Sequence, residues 1–246
     1  MTRSGYSVLR LFAVALVLAL VATAPVAAQT GCPCVINDLG NGTVDLMPNC
    51  PSGYIGYMEI SNGLPAGATI QIQSVLKNFV NDPEAPGGTL GGDIQTFVFA
   101  TIEMTMTGTG PLAGFNRSLS LPVDGEAHSA PRTPGDAVQD FDHDMIRLNG
   151  ELFGDPDFCT LRVKAGSAHG LPSPGHTTLT RLGAPGAAFQ VDSFFDITYE
   201  IDFQGCPGSA LEGMSGITTR DDVFSICEGG PIASEPVSWG VIKSRH

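Results

Sequence analysis

Tryptophan is almost missing from this chain: one residue in 246, Trp239, beside four tyrosines. No row of indole or phenol rings offers itself as a sugar platform. Positive charge is equally scarce, with 12 Lys and Arg against 25 Asp and Glu and a formal net charge of −13. Such a surface repels phosphate backbones and anionic lipid headgroups, which excludes nucleic acid and membrane surfaces as partners. Charged residues of both signs make up only 15% of the chain, and no window of 11 residues carries a convincing 3.6-residue apolar period. Long, ion-paired helices are therefore not expected. Beyond residue 21 no apolar run approaches the roughly 20 residues that span a bilayer, so no membrane span is expected.

The exception lies at the start. Arg3 and Arg10 precede an unbroken apolar run from Leu11 to Val21, and Val26-Ala27-Ala28 places small residues before Gln29. This is the pattern of a cleaved signal peptide over residues 1–28, and it predicts a secreted or periplasmic protein. Thr30-Gly31-Cys32 resembles the end of a lipobox, which would anchor the chain through Cys32. Gln29 stands where a leucine belongs, however, and acylation would leave five cysteines, an odd number to pair. Cleavage after Ala28 removes two arginines and no acid, so the remainder is two charges more negative than the whole.

Six cysteines in an exported chain read as disulfides. Cys32 and Cys34 have one residue between them, too few for an easy mutual bridge. Each is expected to reach elsewhere, one of them to Cys50, with Cys159, Cys206 and Cys227 completing a set whose connectivity stays open.

Gly (31) and Pro (18) are abundant, which suits many strands joined by tight turns. Phe189, Val191, Phe195, Ile197, Tyr199, Ile201 and Phe203 alternate with polar residues, Ser193 being the small interruption. Period two over this length predicts a long strand with one buried face. Val98, Ala100, Ile102, Met104 and Met106 predict a second. Shorter alternations around Ile70, Leu119, Ile146, Cys159 and Thr177 bring the total to about eight to ten strands by pattern. The expected fold is an all-β antiparallel sandwich, with a barrel as alternative and very little helix. Residues 29–228 are expected to form one domain, followed by a loosely held tail over 229–246.

Candidate chemistry is sparse. Asp140, Asp142 and Asp144 have the alternate spacing with which calcium loops begin, and Glu151 occupies the twelfth position, but Met145 stands where the loop glycine belongs. These four are the calcium candidate, and calcium is the one cofactor the sequence suggests. The competing reading places the aspartates along one solvated strand face. His128, His143, His169 and His176 fall in no recognisable constellation, and Gly213-Met214-Ser215-Gly216-Ile217 lacks the last glycine of a nucleophile elbow. No catalytic residue is nominated.

Three runs resemble a group of exported β-rich proteins of environmental bacteria whose function is not known: 114–123, residues 154–158 with 171–179, and 191–197. The resemblance covers about residues 60–220. It implies one continuous unit and brings no catalytic or binding residue. The sequence thus points to a secreted, non-enzymatic binding, surface or matrix protein, its ligand an extracellular protein or glycan. The alternative is a secreted hydrolase, carbohydrate-active or esterase, whose site assembles only in three dimensions.

Overall fold

The computed structural model describes residues 34–226. The signal-peptide reading, the lipobox, Cys32, Cys227, Trp239 and the expected tail lie outside the described residues.

Twelve strands follow in chain order: β1 (Val35–Ile36), β2 (Tyr54–Ile60), β3 (Ile70–Lys77), β4 (Val80–Asn81), β5 (Ala85–Pro86), β6 (Asp93–Gly108), β7 (Asn116–Ser129), β8 (Val138–Phe153), β9 (Phe158–Ala165), β10 (Pro174–Arg181), β11 (Phe189–Gly205) and β12 (Ser215–Ser225). The only helical pieces among the described residues are 3₁₀ turns at Gly110–Leu112 and Ser167–His169. The all-β class is therefore as the alternation predicts, and every pairing is antiparallel.

The pairings run β11-β10-β8-β7-β6-β3-β2-β12, and β12 pairs again with β11, so the ladder returns on itself. β9 shares the place of β10: the two lie between β8 and β11 in succession, β10 against residues 138–144 of β8 and β9 against 148–153. A circuit of this kind is the connectivity of a barrel, and also of a sandwich whose two faces are joined at their edges.

The long strand behaves as its alternation requires. Phe189, Val191, Phe195, Ile197, Tyr199, Ile201 and Phe203 are all buried, with Ser193 among them on the same face. β6 departs from expectation at one end. Ala100, Ile102, Met104 and Met106 point inward, but Phe97, not Val98, continues their row. The cause is a β-bulge: Phe97 pairs with Gly125, the next pair is Ala100 with Val123, and Val98 and Phe99 together oppose Asp124. Gly125 makes the inward turn of Phe97 possible, since a Cβ there would come within 2.4 Å of the Phe97 ring. The extra residue flips parity. Phe99, which would otherwise follow Phe97 into the core, is turned out to solvent.

Among the described residues two disulfides are present. Cys34 joins Cys50, the local partner expected for one of the first pair, and Cys159 joins Cys206. The first closes the loop over residues 34–50, whose Val44, Leu46 and Met47 are buried. Polar strand residues hold this loop in place. Gln95 Oε1 accepts from Met47 N–H (2.7 Å), Gln139 donates to the Gly42 carbonyl (2.7 Å), and the buried Arg132 donates to the Val44 carbonyl (2.8 Å) while pairing with Glu84. Cross-linking a loop of about this length contributes on the order of 3 kcal/mol in the chain-entropy account. The second disulfide staples the start of β9 just beyond the end of β11. With these four cysteines bonded, thiol titration of the unfolded, unreduced secreted protein is expected to detect at most Cys32 and Cys227. Detection of six thiols would contradict both bridges.

Candidate functional site

A serine and a histidine do meet in the fold, as the hydrolase alternative requires. Ser193 Oγ lies 3.4 Å from His143 Nε2, and it also contacts Thr177 Oγ1 at 2.7 Å and the Tyr54 hydroxyl at 3.0 Å. All four residues are buried. His143 packs tilted against Phe195 at 4.2 Å between ring centroids, and Phe195 also contacts Tyr54 at 5.5 Å. Burial drives the His143 pKa down to about 3, against weaker opposing pulls from the His176 backbone and Asp142, and pushes the Tyr54 phenol well above its usual range. Burial thus favours a neutral imidazole at neutral pH, and the Ser193 hydroxyl is engaged with its neighbours inside the core. The arrangement satisfies buried hydroxyls. It presents no nucleophile to a substrate.

The calcium candidates occupy the outside of β8. Asp140, Asp142 and Asp144 alternate with the buried Phe141 and His143, the solvated strand face of the competing reading. His176, on the neighbouring β10, reaches Asp140 with Nε2 at 2.8 Å and Asp142 with Nδ1 at 2.9 Å, and Asp144 accepts from Ser167 Oγ at 3.0 Å. Glu151 is seven residues further along the strand, a rise of roughly 24 Å from Asp144, and pairs with Arg162. The structure brings His176 to two of the aspartates and leaves Glu151 apart from all three. No group of three metal-ligating side chains is assembled among the described residues.

The remaining histidines are also dispersed. His128 Nδ1 faces Thr89 N–H at 3.0 Å, which assigns that nitrogen as acceptor and lets Nε2 donate to Glu126 at 2.8 Å. His169 ends the second 3₁₀ turn. In the loop between β8 and β9, Asp155 Oδ1 accepts from the N–H groups of Asp157 and Phe158, and its carboxylate pairs with Arg117. Partial burial works to raise the Asp155 pKa, but these donors hold it below the usual carboxylate range.

Grooves on the outside of the sheet, among the described residues, include the following two. The first, about 550 Å³, follows the joint between β2 and β12 and includes Tyr57, Glu59, Gln71, Gln73, Tyr199 and Arg220. Here the circuit is closed by one backbone pair, Ser225 with Ile55. Elsewhere along the joint, side chains take the place of the ladder. The Asp222 carboxylate accepts from Tyr57 N–H, the Tyr199 hydroxyl from Glu59 N–H at 2.9 Å, and Thr218 Oγ1 from Ser61 and Asn62 N–H at 3.1 Å each. Arg220 reaches across to Glu59 at 3.5 Å. Burial raises the Asp222 pKa and pushes Tyr199 up to about 12. The perturbed groups at this joint are committed to holding two strands together.

The second groove, about 670 Å³, is lined by Phe99, Pro122, Asp124, Asn149, Glu151, Arg162 and Lys164 on β6 to β9. Its defining feature is Phe99. The residue sits at φ +55° on the bulge and is 78% exposed. A left-handed conformation at a bulky residue costs on the order of 1–3 kcal/mol, and an outward ring gains no core packing in return. Phe153, 62% exposed, projects further along β8, and the Arg162 guanidinium lies 5.9 Å from the centre of its ring. Inspection of the sequence for Trp and Tyr misses this aromatic pair, and the parity of β6 hides Phe99 until the bulge is known.

Among family descriptions, curated proteins and solved structures, nothing matches this chain.

Proposed function

We propose that this is a secreted, non-enzymatic binding protein that engages an extracellular ligand through the outer groove bordered by Phe99. The observation that carries the reading is Phe99 itself, an aromatic ring held in solvent at a strained bulge. Strain at an exposed position is a hallmark of functional surfaces, where the gain is collected on binding. Two disulfides suit an oxidising compartment. Among the described residues no helix is long and apolar enough to cross a membrane. The hydrolase alternative draws on Ser193 and His143, and their burial with Thr177 and Tyr54 counts against it.

The test is a screen of the secreted protein against arrayed glycans and extracellular proteins, run beside assays for ester and glycoside hydrolysis. Saturable binding without turnover is the expected result. Turnover of a glycoside or an ester would overturn the reading.

A further inference from the structure

We propose that the groove between Phe99 and Phe153 takes a neutral, linear oligosaccharide, an assignment that rests on the binding reading above. Three features of the floor point to this class.

The first is charge balance. Although the chain as a whole is acidic, the ionic groups here are paired: Asp124 with Arg147 at 3.2 Å, Arg162 with both Glu151 and Asp202, and Lys164 with Glu200 at 3.7 Å. Every carboxylate has a cation beside it, Arg162 serving two, so four acids share three bases; the residual charge disfavours an anionic ligand, and no unpaired carboxylate is left to select a cationic one. Yet these side chains are only partly covered. Free lone pairs and N–H groups remain for the hydroxyls of a sugar.

The second is the placement of the rings. Register sets Asp124, Asn149, Lys164 and Glu200 in one row across the sheet, Glu151, Arg162 and Asp202 in the next, and Phe153 opposite Thr160 in a third. Phe99 borders the first row, two strands from β8. Phe99 therefore stands at the β6 end of the first row and Phe153 on β8 just beyond Glu151 of the second, with Asp124, Asn149 and Glu151 between them, on the order of 15 Å apart by strand spacing and rise, room for roughly three sugar rings. Aromatic faces receive the C–H faces of pyranose rings, and polar groups between them receive the hydroxyls.

The third excludes a protein as the first choice. The buried centre of a protein interface is depleted in charge, whereas Asp124, Glu151, Arg162 and Lys164 all line this groove. The groove along the β2–β12 joint has one exposed ring, Tyr57, and its polar groups are occupied in closing the circuit.

The experiment is affinity electrophoresis of the secreted protein in gels containing soluble xylan, glucomannan, mixed-linkage β-glucan or dextran. Retardation by at least one is expected. The informative variant is Phe99→Gly. Glycine accepts φ +55° without strain, so the bulge survives and the melting temperature should hold or rise while affinity falls at least about tenfold, as for a removed hot-spot ring. Phe153→Ala should weaken binding as well, and Tyr57→Ala should leave it unchanged. The assignment is overturned if none of the four polysaccharides retards the wild type, or if Phe99→Gly and Phe153→Ala are retarded as strongly as wild type. Saturable binding to an arrayed protein with no polysaccharide retardation would remove the oligosaccharide and leave the binding reading standing. Hydrolysis of any of the four would remove both.

Discussion

Truncation of Phe195 to alanine is expected to lower the stability of the protein by about 3–5 kcal/mol, the range for a fully buried phenylalanine. The ring is at 0% exposure in the middle of β11 and contacts both Tyr54 and His143. Removing it deletes apolar burial and opens a cavity against the Ser193 hydroxyl cluster, whose partners are held in place by that ring. The neighbouring residue supplies the control. Phe194 points outward, partly exposed beside His176, and its truncation should cost far less, about 0.5 kcal/mol by the norm for surface positions. Urea denaturation of the two variants reads the register of β11 directly, because a slip of one residue would exchange the two results.

Acid is expected to destabilise the fold through His143 well before carboxylates titrate fully. The unfolded chain protonates this imidazole near pH 6.5, whereas burial holds its pKa in the native state at about 3. Between those values the unfolded state binds the extra proton. The contribution of His143 to stability is thus complete above about pH 6.5 and is lost as pH falls toward 3, at up to about 1.4 kcal/mol per pH unit. The measurement is the stability difference between wild type and His143→Gln at a series of pH values, which cancels the titration of groups common to both. Wild type should lose ground to the variant steadily as pH falls from 6 to 4. Parallel curves would show that His143 charges in the folded state at its ordinary pKa.

Where apolar and polar residues alternate without interruption, the local pattern carries the information that tertiary structure uses. Phe189 to Phe203 could be oriented residue by residue because both faces of β11 remain in phase along its length. Even the interruption was meaningful: Ser193 is small and polar where three other polar groups converge. β6 shows the limit. Phe97, Val98, Phe99 and Ala100 are apolar in succession, so alternation offers two phases and nothing local chooses between them. The choice is made by Gly125, 28 positions after Phe97, which leaves space for that ring. The candidate groove is a product of that choice and was illegible for the same reason. The aspartates of β8 were visible, but their strand face and the apposition of His176 depended on β10 docking beside them.

Closure of the circuit at β2 and β12 depends on very few atoms. A carboxylate and a phenol occupy outward amides of β2, a threonine hydroxyl those of the two residues that follow it, and the backbone contributes one pair. Substitutions at Asp222, Tyr199 or Thr218 would loosen this joint and uncover N–H groups along β2 and just beyond its end. An uncovered row is an invitation to a strand from another molecule. The three side chains are therefore expected to guard against self-association as well as to secure the fold, so that variants at this joint should aggregate at lower concentration than the wild type.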